Sequence, residues 1–262
     1  GYHKEVSDRL YKTIKQQKGF ILSLDEEGGV DFPDNSTLIN RYTDPLLKAS
    51  ELVFLWGEKQ YQLINNLLKD SSNKLVITGH PRFELLKPAY RHFYEEEVNA
   101  IKMEHGNFIL INTNIGFGNN IKGDDFVIEN YGKRIKNIQE VVSFDKLKRD
   151  AFVELVRTII KETNKSIVLR PHPEEDRQCY HHAFKGMERV KIRYEGSTIP
   201  WLLASEIMIH PDCTTAIESF FLGKKSISYL PSFLPSGLIT KIPKEASIQF
   251  TKQKDVIDYL KN

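Results

Sequence analysis

The sequence predicts an α/β protein built from two Rossmann-like lobes. Short β-branched segments alternate with helical stretches along the whole chain, which is typical of parallel sheets whose strands are connected by helices. The segments fall into two groups, separated by a charged stretch between residues 87 and 106. We therefore place an N-terminal lobe at residues 1–87 and a C-terminal lobe at residues 88–262.

The N-terminal lobe is predicted to contain one helix at its start, followed by three strands. In residues 4–17 apolar side chains recur about one helical turn apart, and Gly19 ends the helix. Strands are predicted at residues 20–24, 52–55 and 75–77, the first of them buried, with a helix after the second strand that ends at Leu67. Three strands are few for a doubly wound sheet, so we expect this lobe to lack part of its amino-terminal half.

The C-terminal lobe contains the longer series of predicted elements. A charged helix at 91–104 leads to a strand at 108–111. Further strands are predicted at 167–169, 190–194, 207–209 and 226–228, and further helices at 144–162, 199–204 and 214–222. The glycine-containing segment 114–143 is predicted to be irregular and the most mobile part of the chain.

Composition and missing motifs exclude several classes of protein. No apolar run reaches the roughly 18 residues of a membrane span, and a formal charge of +2 gives no nucleic-acid footprint. Two cysteines, Cys179 and Cys213, are too few for a disulfide framework or a zinc site, which favours a reducing compartment. We find no Walker loop, no complete Gly-x-Gly-x-x-Gly and no metal-ligand motif, so we predict a cytoplasmic protein without metal or cofactor.

Three acidic residues follow the first predicted strand directly. Mutual repulsion among Asp25, Glu26 and Glu27 makes at least one of them a stronger base, able to take a proton from an attacking sugar hydroxyl. Gly28 and Gly29 would permit a tight turn at the floor of a cleft. The alternative interpretation of this segment is an acidic surface loop with a glycine turn.

A histidine between two prolines follows the strand at 167–169. Pro171 and Pro173 stiffen the backbone, so His172 projects from a rigid strand end, where it can bind a phosphate and protonate a leaving group. Arg170 would add a planar pair of donors to the same phosphate. The alternative is a structural histidine beside a proline turn.

The strand at 207–209 leads into a second polar segment. Thr214 and Thr215 open the next predicted helix, where free N–H groups and hydroxyls would bind a nucleotide phosphate, and Glu218 would accept ribose hydroxyl protons. The alternative role for Thr214 is that of a helix N-cap. Weaker candidates are Asn112–Asn114 with Gly116, whose backbone could approach the donor, and the pair His80 and Arg82.

Taken together, these segments resemble the bacterial surface carbohydrate biosynthesis proteins. The resemblance rests, in chain order, on Leu24–Gly29, Trp56–Gly57, Thr78–Phe83, Ile111–Asn114, Arg170–Pro173 and Cys213–Glu218. The same layout is similar to that of bacterial sialyltransferases and Kdo transferases. It implies a glycosyltransferase fold of the GT-B type.

The resemblance also implies roles for individual residues. Glu26 matches the catalytic carboxylate, with Glu27 as the next choice and Asp25 as an additional acid. His172 and Pro173 match a motif that contacts the CMP phosphate and assists its departure. Donor-binding positions are implied at Arg170, Pro173, Asn114, Gly116, Cys213, Thr214, Thr215 and Glu218.

The predicted function is metal-independent transfer of a CMP-activated acidic sugar, Kdo or a sialic-type nonulosonate, to a bacterial surface glycan or glycolipid. The expected partners are this nucleotide-sugar donor and that acceptor, without nucleic acid, and peripheral association with the inner membrane face is left open. A second His-Pro pair at His210 also fits CDP-glycerol transferases. A UDP-sugar transferase and a non-catalytic nucleotide-binding module are the remaining alternatives. We expect the loops of Glu26, His172 and Thr214 to open onto one cleft between the lobes.

Overall fold

The computed structural model describes residues 5–29, 31–67, 72–133 and 135–262. The chain divides into two compact units, Gly1–Leu85 and Leu86–Asn262, called the N-terminal and C-terminal units below. Each has a parallel sheet, as predicted. No helix of the described residues is both long and apolar enough to cross a membrane.

The N-terminal unit is built on a three-stranded parallel sheet in the order β1-β2-β3. The strands are β1 (Leu22–Leu24), β2 (Leu52–Leu55) and β3 (Leu75–Ile77). The helices are α1 (Glu5–Gln16), α2 (Ser36–Arg41), α3 (Asp44–Ala49) and α4 (Glu58–Leu67). The predicted strands at 52–55 and 75–77 and the helix ending at Leu67 are therefore confirmed.

Alternation along β2 places the core of the N-terminal unit on one face of its sheet. Val53 and Leu55 are fully buried, whereas Leu52 and Phe54, which alternate with them, are only half-buried. The buried face packs against α2, α3 and α4 through Leu38, Leu47 and Ile64. These aliphatic contacts hold the sheet and its helices together.

The predicted burial of the first strand is wrong. Phe20 is 79% exposed, Leu22 is 59% exposed, and the strand begins only at Leu22. Among the described residues β1 pairs with β2 alone, so it is an edge strand with one uncovered side. An apolar run by itself does not distinguish such an edge from a buried strand. Helices α2 and α3 were not predicted either, since six residues are too few to show a helical period.

The C-terminal unit contains a six-stranded parallel sheet in the order β6-β5-β4-β7-β8-β9. The strands are β4 (Phe108–Asn112), β5 (Ser166–Arg170), β6 (Val190–Ile192), β7 (Ile207–His210), β8 (Ser226–Tyr229) and β9 (Ile248–Phe250). The helices are α5 (Glu95–His105), α6 (Gly123–Tyr131), α7 (Ile138–Glu162), α8 (Arg177–Ala183), α9 (Thr198–Ala204), α10 (Thr215–Phe221), α11 (Lys241–Glu245) and α12 (Gln253–Lys261).

This strand order is that of a doubly wound sheet. From β4 the chain moves outward through β5 to β6, and it then returns to β7 on the other side of β4 and moves outward again to β9. The direction therefore reverses between β4 and β7, and ligands of open α/β sheets bind beyond the carboxyl ends of the strands at such a point. All five residues of β4 are buried, as expected for a central strand covered on both faces.

Helix α7 is the longest element and forms much of the core of the C-terminal unit. Its 25 residues bury Phe152, Leu155, Val156 and Ile159 at helical spacing against the sheet. Its first turns lie in the segment 114–143, which also contains α6, so the prediction that this whole segment is irregular is wrong. The apolar face of α6, which packs on Val141 and Val142 of α7, is too short to show a clear helical period in the sequence. The segment was therefore predicted as a loop.

The remaining differences concern short elements at the carboxyl-terminal side of the chain. Strand β9 and helices α8, α11 and α12 were not predicted. Strand β9 has only three residues, none of them fully buried, and α8 and α11 have at most seven residues each. The strands at 108–111, 167–169, 207–209 and 226–228 are confirmed to within one residue at each end.

The first prediction concerns Gly118, which lies against the backbone of α7. A Cβ atom at this position would lie 2.4 Å from the Lys146 amide nitrogen and 2.6 Å from Asp145 Cβ. Gly118→Ala should therefore lower the free energy of unfolding by about 1–3 kcal/mol, because helix backbone has to move. Urea denaturation measures this change. The matched control is Gly237→Ala, whose Cβ would meet no atom of the described residues within 4 Å. Equal effects of the two substitutions would contradict the close packing at Gly118.

Candidate functional site

The three strands of the N-terminal unit end at one edge of its sheet, and their exit segments meet there. The indole N–H of Trp56, just after β2, donates to the backbone carbonyl of Asp25, just after β1, at 2.6 Å. The Trp56 ring also contacts His80, which follows β3, with the ring centroids 5.2 Å apart. The acidic segment predicted from the sequence thus lies beside Trp56 and His80.

Asp25 has a structural role in this cluster. Its carboxylate is buried and accepts a hydrogen bond from Arg41 Nε at 3.0 Å, with Arg41 buried as well. The second oxygen accepts the backbone N–H of Glu27 at 3.1 Å. Burial and the nearby Asp25 charge raise the pKa of Tyr42 above its ordinary value. Asp25 is thus occupied by the fold, which leaves Glu26 and Glu27 as the candidate bases.

Glu26 is the carboxylate that the fold presents to solvent together with a histidine. Its side chain is 68% exposed, and Oε2 lies 3.1 Å from Nε2 of His80, whose side chain is only 4% exposed. Glu27 is also exposed, and its backbone is held by Asp25. His80, a secondary candidate from the sequence, therefore belongs directly to the acidic site.

Gly28 is needed for a different reason than the sequence indicated. Its φ is not positive, so no left-handed turn requires a glycine here. A Cβ atom would instead lie 2.6 Å from the Trp56 ring and 2.5 Å from Gln60 Nε2. Gln60 in turn accepts the Trp56 backbone N–H at 2.6 Å. Close packing between the exits of β1 and β2 excludes a side chain at residue 28.

In the C-terminal unit, polar residues line the point where the strand order reverses. Asn112, at the end of β4, donates from Nδ2 to the Thr215 hydroxyl at 3.2 Å. Asn114 donates from Nδ2 to Asp212 Oδ1 at 3.0 Å. The amide oxygens of both asparagines are buried without a hydrogen-bond partner within the described part of the chain. The exits of β4 and β7 are thus joined by side chains that retain unused acceptors.

The loops after β4 and β5 are joined by a buried carboxylate that the sequence did not single out. Glu175 Oε1 accepts the Thr113 hydroxyl at 2.8 Å, the Ile115 N–H at 2.9 Å and the His172 N–H at 3.0 Å. Its other oxygen accepts the hydroxyl of Tyr180. Burial and the Glu175 charge raise the pKa of Tyr180 well above its ordinary value, so the tyrosine remains a donor. In the sequence, the only sign of this role is that Glu175 is an acidic residue three positions after His172.

His172 is exposed at this edge, with a defined ring orientation. Its Nδ1 accepts the backbone N–H of Glu174 at 3.3 Å, so the proton of the neutral ring lies on Nε2. Gly116 passes close to the ring, and a Cβ there would lie 3.3 Å from Nδ1. Pro173 is exposed beside it. The sequence candidates Gly116, His172 and Pro173 therefore lie together.

Arg170 does not have the predicted orientation. Its guanidinium is buried and donates to the backbone carbonyls of Glu195 at 2.7 Å and Gly196 at 2.9 Å. It also stacks on the ring of Trp201 at 4.9 Å, and burial lowers its pKa to about 10. The predicted phosphate contact of Arg170 is absent from this geometry because its donors hold the loop after β6.

His210 is a structural residue rather than a second exposed histidine. It is completely buried. Its Nδ1 accepts the Cys213 N–H at 3.2 Å, and its Nε2 lies 2.8 Å from the Ser247 hydroxyl. Burial lowers the pKa of His210 to about 4, so the ring is neutral at physiological pH. Cys213 is also buried, and burial raises the pKa of its thiol to about 11.

Thr214, Thr215 and Glu218 are half-buried at the start of α10. The Thr214 side chain makes no capping hydrogen bond to α10, so the N-cap role considered for it is not realised. The Thr215 hydroxyl accepts from Asn112 and so belongs to the junction of β4 and β7. Asn114, Gly116, Thr214 and Thr215 thus share the carboxyl edge of one sheet with His172.

A buried group of three charges supports this edge from below. Lys148 of α7 lies 2.9 Å from Asp145 Oδ1 and 3.3 Å from Asp212 Oδ1, and all three side chains are buried. Burial alone would lower the pKa of Lys148, but the two carboxylates raise it above its ordinary value. Asp145 also accepts the Phe117 N–H at 3.1 Å, and Asp212 accepts the Thr240 N–H at 2.9 Å.

Sequence patterns could not identify this triad, because a lysine on a charged helix usually faces solvent. Through Asn114 and Phe117, the triad holds the first part of the loop that follows β4. Its members are therefore structural supports of the candidate site. The prediction that the Glu26 edge and the His172 edge open onto one cleft stays a prediction.

Several solved structures with the same fold are sugar-nucleotide enzymes. The UDP-GlcNAc 2-epimerase from Methanocaldococcus jannaschii matches with a TM-score of 0.59 at 15% identity over 100% of this chain and 68% of its own. The Neisseria meningitidis enzyme, bound to UDP-GlcNAc, matches with 0.55 at 15% identity over 99% and 66%. A putative enzyme of the same name from Listeria monocytogenes matches with 0.55 at 16% identity over 100% and 64%.

The fold is of the GT-B type. At these identities the likeness establishes the fold and not the reaction. The chain spans about two thirds of the length of these enzymes. No protein-family model matches the sequence, and no curated protein matches it.

The second prediction follows from the neutral, buried ring of His210. Its folded-state pKa of about 4 lies below the ordinary value of 6.5, so between these pH values the unfolded chain binds a proton that the folded chain does not. The stability due to this group is present above pH 6.5 and is lost as the pH falls toward 4. The loss is on the order of 3 kcal/mol.

Urea denaturation from about pH 7 to about pH 4.5 measures this loss. The comparison is His210→Gln, which cannot titrate and should show a flatter decline although it is less stable at neutral pH. Carboxylates titrate alike in both proteins, so only the difference in slope is assigned to His210. Parallel declines in the two proteins would contradict the assignment.

Proposed function

We propose that the protein is a sugar-nucleotide-dependent glycosyltransferase that moves a CMP-activated acidic sugar to a bacterial surface glycan or glycolipid. The observation that carries the proposal is the edge of the C-terminal sheet where β4 and β7 diverge. Hydroxyls, unpartnered amide oxygens within the described residues, and an exposed histidine come together there. This is the position at which open α/β sheets bind nucleotides.

The nucleotide would bind across the ends of β4 and β7. The amide oxygens of Asn112 and Asn114, which have no hydrogen-bond partner among the described residues, would offer acceptors to ribose hydroxyls or to a base amine. Thr214 and Thr215 offer hydroxyls to the phosphate. Because Arg170 and Lys148 are held in internal contacts, the Nε2–H of His172 would be a further donor to the phosphate.

His172 would assist departure of the nucleotide. As the bond between the anomeric carbon and the phosphate oxygen breaks, that oxygen keeps the electron pair, and the Nε2–H of His172 stabilises its negative charge by donating a hydrogen bond. Glu175 holds the His172 backbone, and Glu174 fixes the tautomer, so the ring is already oriented. A side chain that donates to the leaving oxygen acts best when it is oriented in this way before the donor substrate binds.

Glu26 would accept the proton of the attacking hydroxyl, or stabilise positive charge in a retaining route. Its exposure and its contact with His80 distinguish it from the buried Asp25. Glu27 stays as the second choice. The acceptor would bind at the N-terminal unit and the nucleotide at the C-terminal unit.

Two other donors are weighed against a CMP-sugar. A UDP-sugar is favoured by the structural neighbours, since the Neisseria meningitidis enzyme is bound to UDP-GlcNAc. A CDP-glycerol donor was suggested by the second His-Pro pair. The complete burial of His210, with both ring nitrogens in internal contacts, removes that particular argument.

The third prediction is that CMP stabilises the protein. Ligand at 100 times its Kd adds about 2.7 kcal/mol to the folded state, and we expect a rise in Tm on the order of 5 °C. Thermal-shift titration with CMP, CDP and UDP measures it. Thr215→Val should weaken the shift, whereas Thr158→Val, in α7 outside the site, should leave it unchanged. A shift with UDP alone would replace the CMP donor by a UDP-sugar, and no shift with any nucleotide would refute the proposed site.

The fourth prediction concerns turnover. His172→Ala and Glu26→Gln should each reduce release of nucleotide from the donor by about 10²-fold or more, the usual contribution of a general acid or base, while both variants remain folded. Matched controls are His181→Ala on α8 and Glu58→Gln on α4, both exposed and outside the site. Wild-type rates in either site variant would remove that residue from the mechanism. A binding module would release no nucleotide from any donor.

A further inference from the structure

His80 contacts Glu26 in a way that fixes which ring nitrogen faces the carboxylate. Nδ1 accepts the backbone N–H of Arg82 at 3.2 Å, which places the proton of the neutral ring on Nε2. Nε2 lies 3.1 Å from Glu26 Oε2. At this distance the contact lacks the alignment of a hydrogen bond, and among the described residues the buried Nε2 has no hydrogen-bond partner. The ring therefore holds an unused donor beside the exposed carboxylate.

The position of the ring is determined by its surroundings. Trp56 contacts it at a centroid distance of 5.2 Å and Phe83 at 6.0 Å, and its side chain is 4% exposed. Gly79, immediately before it, has φ 71°, a left-handed conformation that favours glycine. A turn at the end of β3 thus directs the ring back under the acidic segment.

His210 shows how a purely structural histidine is held in this protein. Both of its nitrogens contact buried groups of the fold, the Cys213 N–H and the Ser247 hydroxyl. His80 shares only the first half of this arrangement, since its second nitrogen faces a solvent-exposed carboxylate. In many active sites a catalytic acid or base is oriented by a neighbouring group that does not itself react. A rigid ring with one donor next to an exposed carboxylate is suited to that role.

We propose that His80 is the positioning residue of Glu26: a small rotation of the exposed Glu26 side chain aligns one carboxylate oxygen with the unused Nε2 donor, and the other oxygen then receives the acceptor's proton. The inference rests on the proposed function and extends it to the N-terminal unit. An exposed glutamate samples several rotamers, and a fixed donor restricts it to the productive one. His80 itself exchanges no proton with the substrate.

Two amide substitutions separate this role from a structural one. In His80→Gln the side-chain NH₂ reaches the position of Nε2 and can still donate to Glu26. In His80→Asn the side-chain oxygen reaches the position of Nδ1 and can still accept from Arg82, but no donor reaches Glu26. We expect His80→Asn to lower kcat for nucleotide release at least tenfold with unchanged KM for the donor, and His80→Gln to retain most of kcat.

A structural role would give the opposite order, since Asn preserves the contact with the fold and Gln does not. Phe83→Leu is the packing control, because it loosens the surroundings of the His80 ring without removing the donor. It should lower Tm and leave kcat within a few-fold of the wild-type value. The double variant Glu26→Gln/His80→Asn should be no slower than Glu26→Gln alone, because His80 acts only through Glu26.

Three results would overturn the proposal while leaving the proposed function intact. These are a wild-type kcat in His80→Asn, a lower kcat in His80→Gln than in His80→Asn, and a further tenfold loss in the double variant. Absence of turnover in the wild-type protein with every donor would instead refute the proposed function and this inference with it. Should His80→Asn not fold, His80→Gln decides the question: a kcat near that of the wild-type protein supports the proposal, and a loss of tenfold or more overturns it.

Discussion

Parallel pairing of the strands is the constraint on which the rest of this structure depends. All described strands in both sheets run in the same direction as their neighbours, so their carboxyl ends share one edge of each sheet. Residues far apart in the chain therefore meet immediately after their strands. Glu26 meets His80 in one unit, and Asn112 meets Thr215 in the other. The topology of the sheets therefore decides where the polar residues of each unit meet.

Buried charges under these edges keep the loops in one conformation. Glu175 accepts three hydrogen bonds from the loops after β4 and β5, and Lys148 joins Asp145 to Asp212 beneath the loop that leads to Asn114. Removing one member of such a group leaves an uncompensated buried charge, so each is costly to lose. The cost of burying these ions is offset by hydrogen bonds that position a site, which connects the stability of the C-terminal unit to its proposed use.

Burial separates the histidines into different chemical classes. His210 has both nitrogens in internal contacts and a pKa near 4, so it is a neutral part of the core. His172 is exposed, its Nδ1 accepts a backbone N–H, and its Nε2 is the donor assigned to the leaving group in the proposed reaction. His80 lies between these cases, buried but facing an exposed carboxylate. Three similar sequence contexts, each a histidine followed by proline, thus support three different roles.

The α/β class, most strands and the segments that line the two sheet edges followed from the sequence alone, because apolar periodicity and strand-end polar residues are local signals. The roles of Asp25, Arg170 and His210 did not, since each depends on partners distant in the chain, namely Arg41, the 194–196 loop and Ser247. Nor could the sequence show that Lys148 is buried, that Phe20 is exposed, or that His80 faces Glu26. Burial and contact are properties of the packed chain, and only the tertiary structure decides them.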